Sequence, residues 1–148
     1  MDGRRPAFVS TPHHHADQLR EAGLRATQPR LLVLAALERL GGHRSADELV
    51  VTLDAQGTPL PRQSVYNVLE SLVAAGLVLP ADAGPGRALF EAGTAFHHHF
   101  VCRDCGVVQD VSCVVGAKPC LDPQLVDAEV DEAQVIFRGR CAACAQAR

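Results

Sequence analysis

Four cysteines in two Cys-x-x-Cys pairs constrain this chain more than any other feature. Cys102 and Cys105 form the first pair and Cys141 and Cys144 the second, with thirty-five residues between them. Zn²⁺ favours four thiolates in a tetrahedron, and two short knuckles supply them with little backbone distortion. The predicted site is closed, structural and coupled to folding. At 148 residues the chain makes one ordinary domain or two small ones, and small domains often need such a staple.

The first pair sits inside a denser stretch. From His97 to Asp110 the chain reads His-His-His-Phe-Val-Cys-Arg-Asp-Cys-Gly-Val-Val-Gln-Asp, three imidazoles, two thiols and a terminal carboxylate. Read as a strand, His97 and His99 point to one face and His98 to the other. The tetrathiolate is complete without them, so they suggest a second, separate metal site. The competing reading is a hydrophilic strand edge with surface histidines.

Upstream, the pattern is helical. Residues 1–12 read as a disordered leader, and His13, His14 and His15 as a solvated helix start or plain disorder in preference to a weak metal-collecting tail. A short helical pattern from Asp17 to Ala22 stops at Gly23. Thr27 as N-cap and Pro29 in the first turn open a helix through Leu31, Leu32, Leu34, Leu37 and Leu40, which Gly41 and Gly42 end. Ser45 and Glu48 form a capping box for a helix through Leu49, Val50 and Leu53. A third helix runs from about Arg62 to Ala75, with Val65, Leu69, Leu72 and Val73 inward and Gly76 as the stop. Leu77 to Leu79 and Ala88 to Glu91 read as short strands around a Gly/Pro-rich turn.

Three helices and a hairpin predict a winged helix, whose last helix enters the DNA major groove. Arg62, Gln63, Tyr66 and Asn67 near its start include the types that read base edges or hold phosphates. The alternative is an ordinary solvated face. Net charge is -3, and up to Pro80 eight acidic residues balance eight basic ones. A domain so close to neutral has little non-specific pull on DNA, which points to a dimer with locally placed arginines: Arg20, Arg25 and Arg30 with Arg62.

The expected fold class is therefore α+β. A winged-helix DNA-binding domain over 13–91 leads through a hinge at 92–96 to a small zinc-stapled α/β dimerisation domain over 97–148. In the second domain His97 to Val101, Val107 to Val111 and the alternating run Val130 to Phe137 read as strands, and 112–123 fits no regular element. No apolar run spans a bilayer and no signal-peptide pattern opens the chain. Metal-bound thiolates without an export signal indicate a reducing cytoplasm rather than a disulfide framework.

Taken together, Gly23 to Arg30, His43 to Asp47, Ser64 to Leu69, the His97 to Asp110 stretch and the terminal Cys-x-x-Cys resemble the ferric uptake regulator (Fur) superfamily over about residues 16–145. The resemblance implies a homodimeric, metal-dependent transcriptional repressor of palindromic double-stranded operator DNA, with no membrane association and no enzymatic turnover. It implies a regulatory site of His43, Glu91, His97, His99 and Asp110. Three imidazoles and two carboxylates suit Fe²⁺ or Mn²⁺ and leave one octahedral position open.

Within the family, aspartate at 110 is similar to the peroxide-sensing PerR-like branch, and the Cys113 to Cys120 insertion to the FurA/CatR type that represses catalase-peroxidase genes. The implied signal is oxidation of a ligating imidazole by peroxide at an iron-loaded site, with Mn²⁺ resistant. A reversible disulfide between Cys113 and Cys120 is the competing chemistry. An iron-responsive repressor of uptake genes is the alternative within the family. Outside it stand a mononuclear iron or dithiol redox enzyme and a protein-binding interaction module.

Overall fold

A computed structural model describes residues 12–93, 97–116, 120–121, 124, 127–131 and 133–147. The expected leader up to residue 11 and the hinge residues 94–96 lie outside them. The chain divides into two compact units, Met1–Thr94 and Ala95–Arg148.

The first unit opens with helices α1 (Pro12–Glu21), α2 (Gln28–Leu40), α3 (Ala46–Ala55) and α4 (Arg62–Ala74). Their apolar faces meet in a core that fully buries Leu19, Val33, Leu37, Leu49, Leu53, Val65, Leu69 and Leu72. Burying each such side chain contributes roughly 1.5–3 kcal/mol. Strands β1 (Val78–Asp82) and β2 (Ala88–Ala92) then pair antiparallel as the wing, Val78 opposite Ala92 and Asp82 opposite Ala88.

Helix α1 starts earlier than its periodicity predicts and takes in His13, His14 and His15. His15 is 5% exposed and its Nε2 lies 2.7 Å from Glu38 Oε2 on α2. It is a packed residue rather than part of a metal-collecting tail. The hydrogen-bonded partner on α2 explains the difference, since a lone polar residue reads as exposed until its partner is known.

The turn between α2 and α3 is built with unusual care. Gly41 and Gly42 take positive φ values of 62° and 59°, which only glycine adopts without strain. Arg44 folds back to donate from Nε to Gly41 O at 2.9 Å and from an Nη to Leu40 O at 3.1 Å, satisfying carbonyls at the end of α2. Its backbone forms an isolated bridge with Phe90 of β2, N–H to carbonyl at 2.8 Å in both directions. Immediately afterwards Ser45 caps α3: Glu48 N–H donates to Ser45 Oγ at 3.2 Å and Ser45 N–H to the Glu48 carboxylate at 2.7 Å. That backbone hydrogen bond holds the Glu48 carboxyl below the usual range.

The second unit is a three-stranded sheet in the order β4 (Val108–Ser112), β3 (His97–Cys102), β5 (Ile136–Gly139). Central β3 pairs antiparallel with β4 and parallel with β5. Helix α5 (Ala142–Gln146) follows Cys141. The alternation from Val130 to Phe137 overstates the last strand: among the described residues 130–135 none belongs to a strand. A parallel partner reaches only from Ile136, opposite His99, to Gly139, opposite Cys102. Apolar alternation therefore starts six residues before there is a strand to pair with.

Ser45→Ala should lower stability by about 1 kcal/mol, since it removes the side-chain half of the capping box. Chemical denaturation reads this as a lower midpoint with an unchanged slope. The variant keeps the bond from the residue-45 backbone N–H to the Glu48 carboxylate, whose contribution is present above the ordinary carboxylate range and lost as pH falls through the lowered Glu48 value, so acid should weaken both chains alike and leave most of the deficit in place.

Candidate functional site

The four-cysteine cluster lies within the second unit. Cys102 ends β3, Cys105 closes a turn after it, and Cys141 and Cys144 frame the start of α5. Gly106, at φ 73°, lets the first knuckle turn back, and its N–H donates to Cys102 O at 3.0 Å. Arg103 N–H donates to Gly139 O at 2.8 Å and Arg140 Nε lies 2.9 Å from Asp104 Oδ2, which bring the second pair to the first. The sulfurs of Cys102, Cys105, Cys141 and Cys144 all lie within 4.8 Å of one another, a separation that fits one tetrahedral ion.

The backbone already prepares this site for a cation. Hydrogen bonds from the Cys105 and Cys141 N–H groups stabilise the Cys102 thiolate and lower its pKa to about 6; Cys141 N lies 3.3 Å from Cys102 Sγ. Thiol neighbours Cys141 and Cys105, with burial, push Cys144 up to about 12. Four sulfurs so close cannot all ionise without a compensating charge. A Zn²⁺ ion would supply it, held by Cys102, Cys105, Cys141 and Cys144.

On β3 the period-two alternation has a chemical result. His99 pairs with Asp110 and His97 with Ser112 across β3 and β4, so His97, His99 and Asp110 share one face. His97 Nε2 lies 3.2 Å from Asp110 Oδ1, and the His97 and His99 rings meet edge to face with centroids 4.7 Å apart. His99 is only 3% exposed, whereas the Asp110 side chain is 51% exposed. This face offers two imidazoles and a carboxylate and no thiol.

The first unit holds a separate pair. Because Arg44 bridges Phe90, the neighbouring His43 and Glu91 meet, Nε2 to Oε2 at 3.5 Å, with both side chains largely buried. Arg44 is thus a positioning residue that sequence reading did not single out. Only the pairing of a turn with a distant strand reveals it.

The expected DNA-contacting residues divide into two groups. On α4, Arg62, Gln63 and Asn67 are exposed and Tyr66 is half-buried. Arg62 Nε lies 3.0 Å from Asp47 Oδ1 and its guanidinium stacks 5.6 Å over the Tyr66 ring; Gln63 Nε2 donates to Asn67 Oδ1 at 2.9 Å. Arg25 is exposed, and Arg20 pairs at the surface with Asp17 at 3.0 Å. Arg30 is turned inward, donating to Ser71 Oγ at 3.3 Å and Arg25 O at 3.0 Å. Among the described residues no helix is long and apolar enough to cross a membrane.

A helical unit with a two-stranded wing, joined to a sheet unit carrying a tetrathiolate cluster and an imidazole-carboxylate face, defines a metal-dependent DNA-binding regulator. Residues 21–114 match the model of the ferric uptake regulator family. The chain is 43% identical over 141 residues to transcriptional regulator FurA of Mycobacterium tuberculosis, covering 92% of this chain and 93% of that protein. It is 40% identical over 121 residues to ferric uptake regulation protein 1 of Mycolicibacterium fortuitum, covering 80% and 74%. Among solved structures, the manganese-containing ferric uptake regulator of Pseudomonas aeruginosa superposes with a TM-score of 0.67 at 28% identity, covering 86% of this chain and 98% of that one. The chain belongs to the ferric uptake regulator family. It is a transcriptional regulator and not an enzyme.

Cys141→Ser leaves three thiolates and should abolish retention of zinc against a chelator, with loss of folding of the second unit. Metal analysis and circular dichroism check both. In the metal-free chain the Cys102 contribution is complete above the ordinary thiol range and disappears as pH falls through about 6. Zinc retention should therefore decline steeply on acidification through that region.

Proposed function

We propose that this regulator is a homodimeric repressor that senses peroxide through an Fe²⁺ or Mn²⁺ site formed by His43, Glu91, His97, His99 and Asp110. The observation that carries the reading is the donor chemistry of the β3 face: imidazoles and a carboxylate, a set for iron or manganese rather than for a thiophilic ion. His43 and Glu91 supply the same chemistry from the first unit. Holding one ion with both sets would make the spacing of two recognition helices depend on metal, and with it the fit to a palindromic duplex.

An Fe²⁺ ion held by His43, Glu91, His97, His99 and Asp110 would supply one-electron chemistry towards peroxide, the net two-electron change being peroxide plus imidazole to oxo-imidazole plus water. The part of the chain is to be the target of that oxidation. His43, His97 and His99 are the oxidisable side chains of the set, and adding oxygen to one of these rings removes a ligand and releases DNA. Resemblance of Asp110 to the peroxide-sensing branch, and of the Cys113 to Cys120 segment to the FurA/CatR type, favours control of catalase-peroxidase or other oxidative-stress genes. The thiol-based alternative is weaker, because burial and neighbouring Cys113 push the Cys120 thiol above its ordinary range, the wrong direction for a reactive thiolate.

In this reading Arg62, Gln63, Tyr66 and Asn67 engage DNA with support from Arg20, Arg25 and Arg30. Arg62→Ala should weaken operator binding by roughly 1–3 kcal/mol, measured at fixed salt.

Operator binding by the zinc-loaded protein, reconstituted with Fe²⁺ or Mn²⁺ and pulsed with peroxide, tests the sensing chemistry. Loss of binding in the Fe²⁺ sample alone, with added oxygen mapped to His43, His97 or His99, is expected. Metal-dependent binding that survives peroxide in both samples would make the protein an iron-responsive repressor of uptake genes instead.

A further inference from the structure

Among the described residues, a further group of ligand-type side chains lies apart from the four-cysteine cluster and the sensing face. His98 points away from His97 and His99, and the same alternation along β4 puts Cys113 on the side of Val111, the partner of His98. Cys120 returns to this face after the segment that follows β4. The ligand atoms of His98, Cys113 and Cys120 lie within 4.8 Å of one another, and Cys120 Sγ is 3.3 Å from His98 Nε2. His98 is 6% exposed, both cysteines are half-buried, and neither is in a disulfide.

We propose that His98, Cys113 and Cys120 form a third cation site, selective for a thiophilic closed-shell ion, Zn²⁺ or Cu⁺. Two thiolates and an imidazole are the wrong donors for Mn²⁺ and the right ones for such ions. Three ligands satisfy trigonal Cu⁺, and a solvent molecule would complete a tetrahedron around Zn²⁺. The ring is already oriented: the Val135 N–H donates to His98 Nδ1 at 3.4 Å, leaving Nε2 towards the sulfurs. Metal at Nε2 moves the proton of a neutral ring to Nδ1, so that long contact is given up and the Val135 amide reports loading.

The segment carrying the cysteines also has reason to need a crosslink. Among its described residues, 113–116 and 120–121 form no helix or strand, and Val114, Val115 and Leu121 are 100%, 60% and 55% exposed. Side chains so exposed contribute little to holding the chain against β3. An ion shared by His98, Cys113 and Cys120 would anchor this segment as the tetrathiolate anchors the C-terminus.

The test uses the full-length, reduced protein under anaerobic conditions, with zinc retained at the four-cysteine cluster and Co²⁺ added as probe. One additional cobalt with a sulfur-to-cobalt charge-transfer band is expected, absent from the C113S/C120S variant at unchanged zinc content. The nitrogen and oxygen donors of the sensing site produce no such band, so this outcome is independent of peroxide sensing. In the wild-type chain the ion should slow alkylation of Cys113 and Cys120, read by peptide mapping, by on the order of ten-fold, and shift the Val135 amide resonance. Displacement of cobalt by Zn²⁺ or by Cu⁺ identifies which ion the site prefers. A wild-type band no stronger than that of the variant, or alkylation rates indifferent to metal, would overturn the proposal. So would a Cys113–Cys120 disulfide that persists in reductant.

Discussion

Strand β3 is the constraint on which the second unit depends. It lies between an antiparallel and a parallel neighbour, buries residues on both faces, and ends in Cys102, which is 1% exposed. Because side chains alternate with period two, a slip of one residue would exchange the faces of all three histidines. The tetrathiolate opposes such a slip. It ties the end of β3 to the segment just after β5, while Arg103 N–H reaches Gly139 O at 2.8 Å and holds the strand ends level. The structural cluster therefore fixes the register of the strand that carries the imidazoles, and a fault there spreads to chemistry in which no cysteine takes part.

The first unit positions its own imidazole by a different device. His43 lies on a turn, where a side chain would ordinarily sample several directions. Here the flanking backbone is held on both sides: left-handed glycines and the Arg44 guanidinium close α2, the Arg44–Phe90 bridge ties the turn to the wing, and the capping box starts α3. Meeting of His43 with Glu91 is a result of that bridge. The hydrogen bonds that finish two helices thus also place a potential ligand.

Much of this was legible in the sequence because it depends on local spacing. Cys-x-x-Cys pairs, the Ser45–Glu48 box, the glycine stops and the alternation of His97 and His99 each act over a few residues. What escaped depends on pairing between distant segments. His15 reads as a solvated residue until Glu38 is seen beside it, and nothing marks Arg44 as a positioning residue until Phe90 is. Alternation overextends the last strand for the complementary reason, since it records which side of a segment is apolar and not whether a neighbour reaches it. Alternation also puts His98 on the face opposite His97 and His99, but its relation to Cys113 and Cys120 requires knowing where the chain returns after β4.

Segregation of donor types has a consequence for metal choice. By intrinsic affinity alone, copper and zinc outcompete iron and manganese at a site of nitrogen and oxygen donors. A sensor of Fe²⁺ must then rely on geometry, on availability of ions, and on offering thiophilic ions something better. The tetrathiolate offers that close by, at a cluster whose Cys102 is buried and whose ligands are crosslinked through two strands. The proposed sensing face differs in kind: His99 is buried, but Asp110 is half exposed at the sheet's edge strand. Ligands able to leave one at a time permit exchange, and a closed cage does not. On this argument exposure of Asp110 is a requirement of the proposed function, because an ion that reports cellular supply has to come and go while one held by four thiolates would stay.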